Sequence, residues 1–173
     1  MQNIFVGIII FFGVILQTSF LPNFFPTGLI PDVVLVMIII WTAKADFNAI
    51  WVRAIFAGLM FDLLSFWPIG INIFSFVAVA FATNSLCKRF LVPQSVRRFL
   101  IIGIAVVVGT MINQLIVAIG INLQNFSWNN LEIFNQALIL KPICNLIILA
   151  ILYWPLEKIE EVFRHQNKMI IKR

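Results

Sequence analysis

Four charged side chains interrupt the long apolar stretches of this sequence: Asp32, Arg53, Asp62 and Lys141. At the centre of a membrane-spanning helix each costs about 2.5–3.5 kcal/mol unless it is paired or wetted, so each needs a reason. Two carboxylates at one depth could act as a general acid and a general base, Asp32 and Asp62 here, if their surroundings split their pKa values. That chemistry has no support around it, because no nucleophile, metal-ligand set or catalytic spacing accompanies the pair. His165 is the only histidine, which rules out a His-based metal site and a Ser-His-Asp triad. Cys87 and Cys144 fall at different predicted depths, so neither a disulfide nor a metal-binding pair is expected. The expectation is a protein that is not an enzyme and has no cofactor.

Composition names the solvent. Of 173 residues 62% are hydrophobic and 11% charged, against about 45–50% and 25% in ordinary soluble domains, and the mean hydropathy is +1.04. A soluble core could not absorb so much Ile, Leu, Val and Phe without exposing it, whereas lipid solvates such surface. The reading is an all-α integral membrane protein, a single polytopic domain over residues 1–173. The net charge of +5 comes from basic residues beside apolar segments, so it reports topology, and no nucleic-acid partner is expected. The N-terminus has no basic n-region and no A-x-A-like site, which makes the first apolar run a retained helix rather than a signal peptide.

Apolar windows near 4–21, 29–43, 50–67, 69–87, 99–121 and 133–156 predict six transmembrane helices. The second is short, ~22 Å at ~1.5 Å per residue, so it should begin inside the interface or where the protein thins the bilayer. Lys44, then Lys88, Arg89, Arg97 and Arg98, then Lys158, Arg164, Lys168, Lys172 and Arg173 lie in alternate connections and in the tail, while the other three loops carry no Lys or Arg. The positive-inside rule then puts both termini in the cytoplasm. Trp41, Trp51, Trp67, Trp128 and Trp154 all fall beside predicted span ends, where an indole sits with its N–H in the headgroup layer. Pro22, Pro26 and Gly28, Trp67-Pro68 with Gly70, and Pro93 mark turns, and NLQNFSWNN is the longest outward segment.

Depth along these helices groups the polar residues. Arg53 lies near the cytoplasmic start of its span, from which its stem can snorkel to the headgroups. Asp62 falls ~6 Å, Asp32 ~5 Å and Lys141 ~13 Å from the outer ends of theirs, with Asn113 and Gln114 at ~12 Å and Asn72 near the top of the fourth. Polar groups from five helices thus converge on one outer level. Two readings compete: an Asp62–Lys141 ion pair with amides that hold the bundle together, or an outward polar cavity that takes a ligand or a partner segment.

In the third span Ala54, Gly58, Asp62 and Ser65 share one face, and small residues there let another helix approach closely. Pro142 removes one intrahelical hydrogen bond next to Lys141, and Asn145, one turn on, could satisfy the freed group. From the end of the sixth span Leu156, Ile159, Val162, Phe163 and Ile170 alternate with charges, which predicts an amphipathic cytoplasmic tail over 157–173.

A chain of this size, with IPDVVLVMIIIW opening the second span and GLMFDLLSFWPIGIN joining the third to the fourth, resembles the rod shape-determining protein MreD family. The resemblance implies a non-enzymatic scaffold in the bacterial inner (cytoplasmic) membrane that binds MreC directly. It also implies an indirect link to MreB, RodA and the elongation penicillin-binding transpeptidase, in support of peptidoglycan synthesis and cell shape. It implies a fold similar to the S-components of energy-coupling-factor transporters. Asp62 corresponds to the family's aspartate, Ser65 to its neighbouring serine and Pro31 to the proline opening the second span, whereas Asp32 departs from the pattern and inherits no role. The candidate partner-binding or outer polar cluster is therefore Asp32, Gly58, Asp62, Ser65, Asn72, Asn113, Gln114 and Lys141. The alternative is a vitamin-binding protein of the S-component type, but the first span, IFVGIIIFFGVILQTSFL, lacks the A-x-x-x-A element by which those proteins commonly dock their coupling subunit.

Overall fold

A computed structural model of the chain describes residues 2–26, 29–44, 47–65, 69–90, 95–125, 139–156 and 158, and all regular structure among them is helical. Helix α1 (Gln2–Ile15) runs into a π turn (Leu16–Phe20) and a 3-10 turn (Leu21–Asn23). Pro22 explains the change of winding, since it has no N–H for the carbonyl of Thr18 and its ring crowds that group. The wider turn is closed by Leu21, whose N–H donates to the carbonyl of Leu16. Then come α2 (Val33–Lys44), α3 (Phe47–Leu64), α4 (Ile71–Phe90), α5 (Ser95–Asn125) and α6 (Ile139–Leu156).

Among the described residues four helical stretches are long and apolar enough to cross a membrane: Phe5–Asn23, Ile71–Arg89, Arg98–Gly120 and Ile139–Leu156. Helix α3 has 18 residues and carries Arg53 and Asp62. Helix α2 has only 12, ~18 Å, and starts at Val33 rather than near residue 29. Pro31 disfavours helical backbone at Ile30, and Asp32 supplies the carbonyl that accepts the first helical N–H, from Val36 at 3.0 Å. Every residue from Val33 to Thr42 is buried. A helix that is apolar all round belongs at the centre of a bundle, and α2 packs against α1, α3, α4 and α5.

That central position encloses one tryptophan near its helix end: Trp41 is 3% exposed, with the Arg53 guanidinium 6.0 Å from its ring. Trp51 and Trp154 are exposed. Gly28, Trp67-Pro68, Pro93, residues 126–130 of NLQNFSWNN with Trp128 among them, and the tail beyond Lys158 lie outside the described residues.

The α3–α4 hairpin is set by glycine. A Cβ on Gly58 would fall 2.5 Å from Cα and 2.7 Å from N of Ile73, so the two backbones touch there. The small-residue face of α3 is thus covered by α4 of the same chain, and Ala54 and Ala57 beside it are fully buried. Gly70, at φ +108°, takes the left-handed turn that starts α4, and its carbonyl accepts the Phe74 N–H at 3.0 Å. Gly58→Ala should lower thermal stability in detergent by about 1–3 kcal/mol, because backbone must move to admit the methyl group. Gly103→Ala, whose new Cβ would meet only Leu146 Cδ2 at 3.7 Å, should change it little.

Candidate functional site

The non-helical residues before α2 put the start of that helix inside the bundle, where its first N–H groups need partners other than water. The chain supplies them from distant helices. Gln17, drawn inward on the π turn and 4% exposed, accepts the Val34 N–H on Oε1 at 3.1 Å and donates through Nε2 to Asp32 Oδ1 at 2.9 Å. The Asp32 N–H donates to Asn145 Oδ1 on α6 at 2.7 Å.

Both oxygens of the Asp32 carboxylate are used. Oδ2 lies 3.0 Å from Lys141 Nζ and accepts from Asn113 Nδ2 at 3.2 Å, beside Oδ1 with its Gln17 donor. The network extends one residue further on two sides. Ser75 on α4 donates its hydroxyl to Asn113 Oδ1, and Asn145 Nδ2 donates to Thr110 Oγ1 at 2.8 Å. The Thr110 hydroxyl in turn donates to the Val106 carbonyl at 2.7 Å, a back-bond that spends its proton within its own helix. One carboxylate therefore ties together α1, the head of α2, α5 and α6 directly, and α4 through Asn113. Its charge also sits at the positive end of the α2 dipole.

Asp62 serves a different helix. Its carboxylate accepts the N–H of Gly70 at 2.7 Å, the N–H and Nδ2 of Asn72 at 3.1 and 2.7 Å, and the more distant N–H of Ile73 at 3.4 Å. It is a capping group for α4 supplied from the end of α3, and it is 2% exposed.

The expected Asp62–Lys141 pair is thereby corrected: Lys141 pairs with Asp32, and Asp62 is satisfied by backbone and amide donors at the α4 terminus. Asn145 likewise holds Asp32 and Thr110, in place of the expected bond to a carbonyl freed by Pro142. The candidate residues separate into an Asp32–Asn113–Lys141 set and a Gly58–Asp62–Asn72 set. Ser65 caps neither, and its hydroxyl is buried without a hydrogen-bond partner among the described residues. Gln114 is buried next to Asn113. Gln17, Ser75 and Thr110 were not foreseen. The amide of Gln17 inside an apolar run was the available signal for the first, whereas hydroxyls are too common in membrane helices to single out the other two.

A bundle of lipid-compatible helices whose buried carboxylates are filled by its own donors defines a helical membrane protein with a structural polar core. The chain belongs to the rod shape-determining protein MreD family, whose model matches residues 1–164. No curated protein and no solved structure matches it.

Removing one partner of a buried ion pair strands the other charge, typically at ~3–5 kcal/mol. Asp32→Asn and Lys141→Met should each destabilise by that order, with the double substitution recovering at least ~1 kcal/mol relative to their sum. Asp62→Asn combined with Lys141→Met should be additive within ~0.5 kcal/mol. Unfolding midpoints of the purified protein in detergent, taken as double-mutant cycles, measure both couplings.

Proposed function

We propose that this protein is a non-enzymatic scaffold of the bacterial elongation machinery. In this reading it binds MreC in the inner membrane, supports peptidoglycan synthesis through the assembly with MreB, RodA and the elongation transpeptidase, and so helps to set cell shape. The family match over residues 1–164 carries the reading. The polar core is in keeping with it: an acid–base pair or a ligand-binding carboxylate needs open valences, and here both aspartates are occupied by protein donors. The surface offers large apolar side chains on α1, α4, α5 and α6, such as Phe12, Phe74, Ile104 and Ile147, to which the transmembrane part of a partner could pack.

We place α2 and α3 in the bilayer with the four longer helices, which gives six crossings in the S-component-like arrangement and leaves both termini in the cytoplasm. Burial supports this for α2, since a helix wrapped by its neighbours need not match the bilayer thickness on its own.

Affinity purification of the tagged full chain from membranes co-expressing MreC should bring MreC down at a fixed ratio, and absence of MreC from well-folded preparations would overturn the scaffold reading. In a Cys87→Ser/Cys144→Ser background, Asn130→Cys should react with a membrane-impermeant maleimide in intact spheroplasts, and Arg97→Cys only after lysis. The reverse pattern would invert the topology.

A further inference from the structure

The opposite end of the bundle from the two aspartates gathers cations over aromatic rings. Lys44 Nζ, in the last turn of α2, lies 5.3 Å from the ring centroid of Tyr153 on α6. That ring meets Phe99 on α5 edge to face at 5.3 Å. Arg98 precedes Phe99, and its Nε is buried without a hydrogen-bond partner among the described residues. One turn beyond Tyr153, Lys158 stands 3.8 Å above the exposed ring of Trp154.

We propose that the crevice between the C-terminal ends of α2 and α6 and the start of α5 binds the headgroup of an anionic phospholipid. A guanidinium with a buried, unanswered N–H calls for an acceptor that follows its planar fork, and a phosphate diester fits that geometry with a charge of the right sign. Lys44 adds a second cation on a ring-supported stem. The neighbouring surface suits the rest of the lipid. Phe99 and Tyr153 provide an interfacial aromatic ledge, and Leu100 and Ile104, one turn apart on α5, are exposed apolar side chains along which an acyl chain can lie. Basic pockets between helices at this side of a membrane are a recurrent form of anionic-lipid recognition. The site is independent of MreC binding and draws on the orientation proposed above only for the leaflet it faces.

The test is thermal unfolding of the full chain in neutral detergent with added phosphatidylglycerol, phosphatidylcholine or free glycerol phosphate. At saturating lipid, ~100 times the dissociation constant, phosphatidylglycerol should raise the midpoint by on the order of 5 °C over phosphatidylcholine. Glycerol phosphate should give no such shift. The Lys44→Gln/Arg98→Gln protein should respond equally to the two lipids. Arg98→Lys, which keeps the charge and loses the fork, should retain part of the shift. Lys88→Gln/Arg89→Gln, which removes as much charge from the exposed end of α4, should respond as the unaltered chain does. Phosphatidylglycerol left on the purified proteins, counted by native mass spectrometry, gives the same comparison if the first double variant folds poorly. Equal response of the unaltered chain to both lipids, an equal shift with glycerol phosphate, or equal loss in the two double variants would each overturn the site.

Discussion

The carboxylate of Asp32 sits where α2 begins inside the protein, and most of the polar architecture follows from satisfying it. A helix that starts below the surface of a bilayer exposes N–H groups where no water can answer them, and an aspartate there adds a charge to the same problem. The chain resolves both together. Gln17 takes one helical N–H and offers a donor to the carboxylate, Asn145 takes the N–H of Asp32 itself, and Lys141 and Asn113 supply the remaining charge and proton. Each neutral interhelical hydrogen bond in a membrane is worth only ~0.6 kcal/mol on average. Breaking the ion pair from one side is the costlier event, because it strands a charge, and the amides fix which oxygen faces which helix.

The α3–α4 hairpin solves a smaller version of the same problem with local residues. Gly58 lets the helices touch, Gly70 turns the chain, and Asp62 reaches from one helix to the open N-terminus of the next. The three positions depend on one another. A side chain at residue 58 would push α4 away from the carboxylate that caps it, and without that cap the glycine turn would leave buried N–H groups unanswered. This accounts for the conspicuous FAGLMFDLLSFWPIGIN stretch without any reactive chemistry at its aspartate.

How far these arrangements could be read from the sequence differs by physical cause. Hydropathy sets where helices run, but the late start of α2, at Val33 rather than near residue 29, came from Pro31 and a buried start that hydropathy does not register. Depth counting placed Asp32, Asn113 and Lys141 on one level. It could not say which acid meets the lysine, because that depends on the rotation of each helix about its axis, and a helix that is apolar all round carries no moment to report it. Asp62 was equally near in depth, but it is turned toward its own hairpin. The roles of Gln17 and Asn145 were hidden for a further reason: both answer the backbone of α2, and backbone demand is invisible until the start of the helix is known to be internal.

Occupied carboxylates bear on function through what they leave open. A transport or catalytic site in a membrane keeps polar groups under-coordinated until substrate completes them, and the resulting instability is a condition of turnover. Here completion is internal: the π turn after α1, α5 and α6 all converge on Asp32 at the head of α2, and separating any of them leaves that residue short of a partner. Such a core favours one arrangement of α1, α2, α5 and α6 over alternatives that are equally apolar, in the way that a buried polar residue fixes register in helical assemblies. The bundle also presents a surface to other molecules. That surface is apolar along the flanks and cationic over aromatic rings at one end, suited to lipid and to the helices of other membrane proteins.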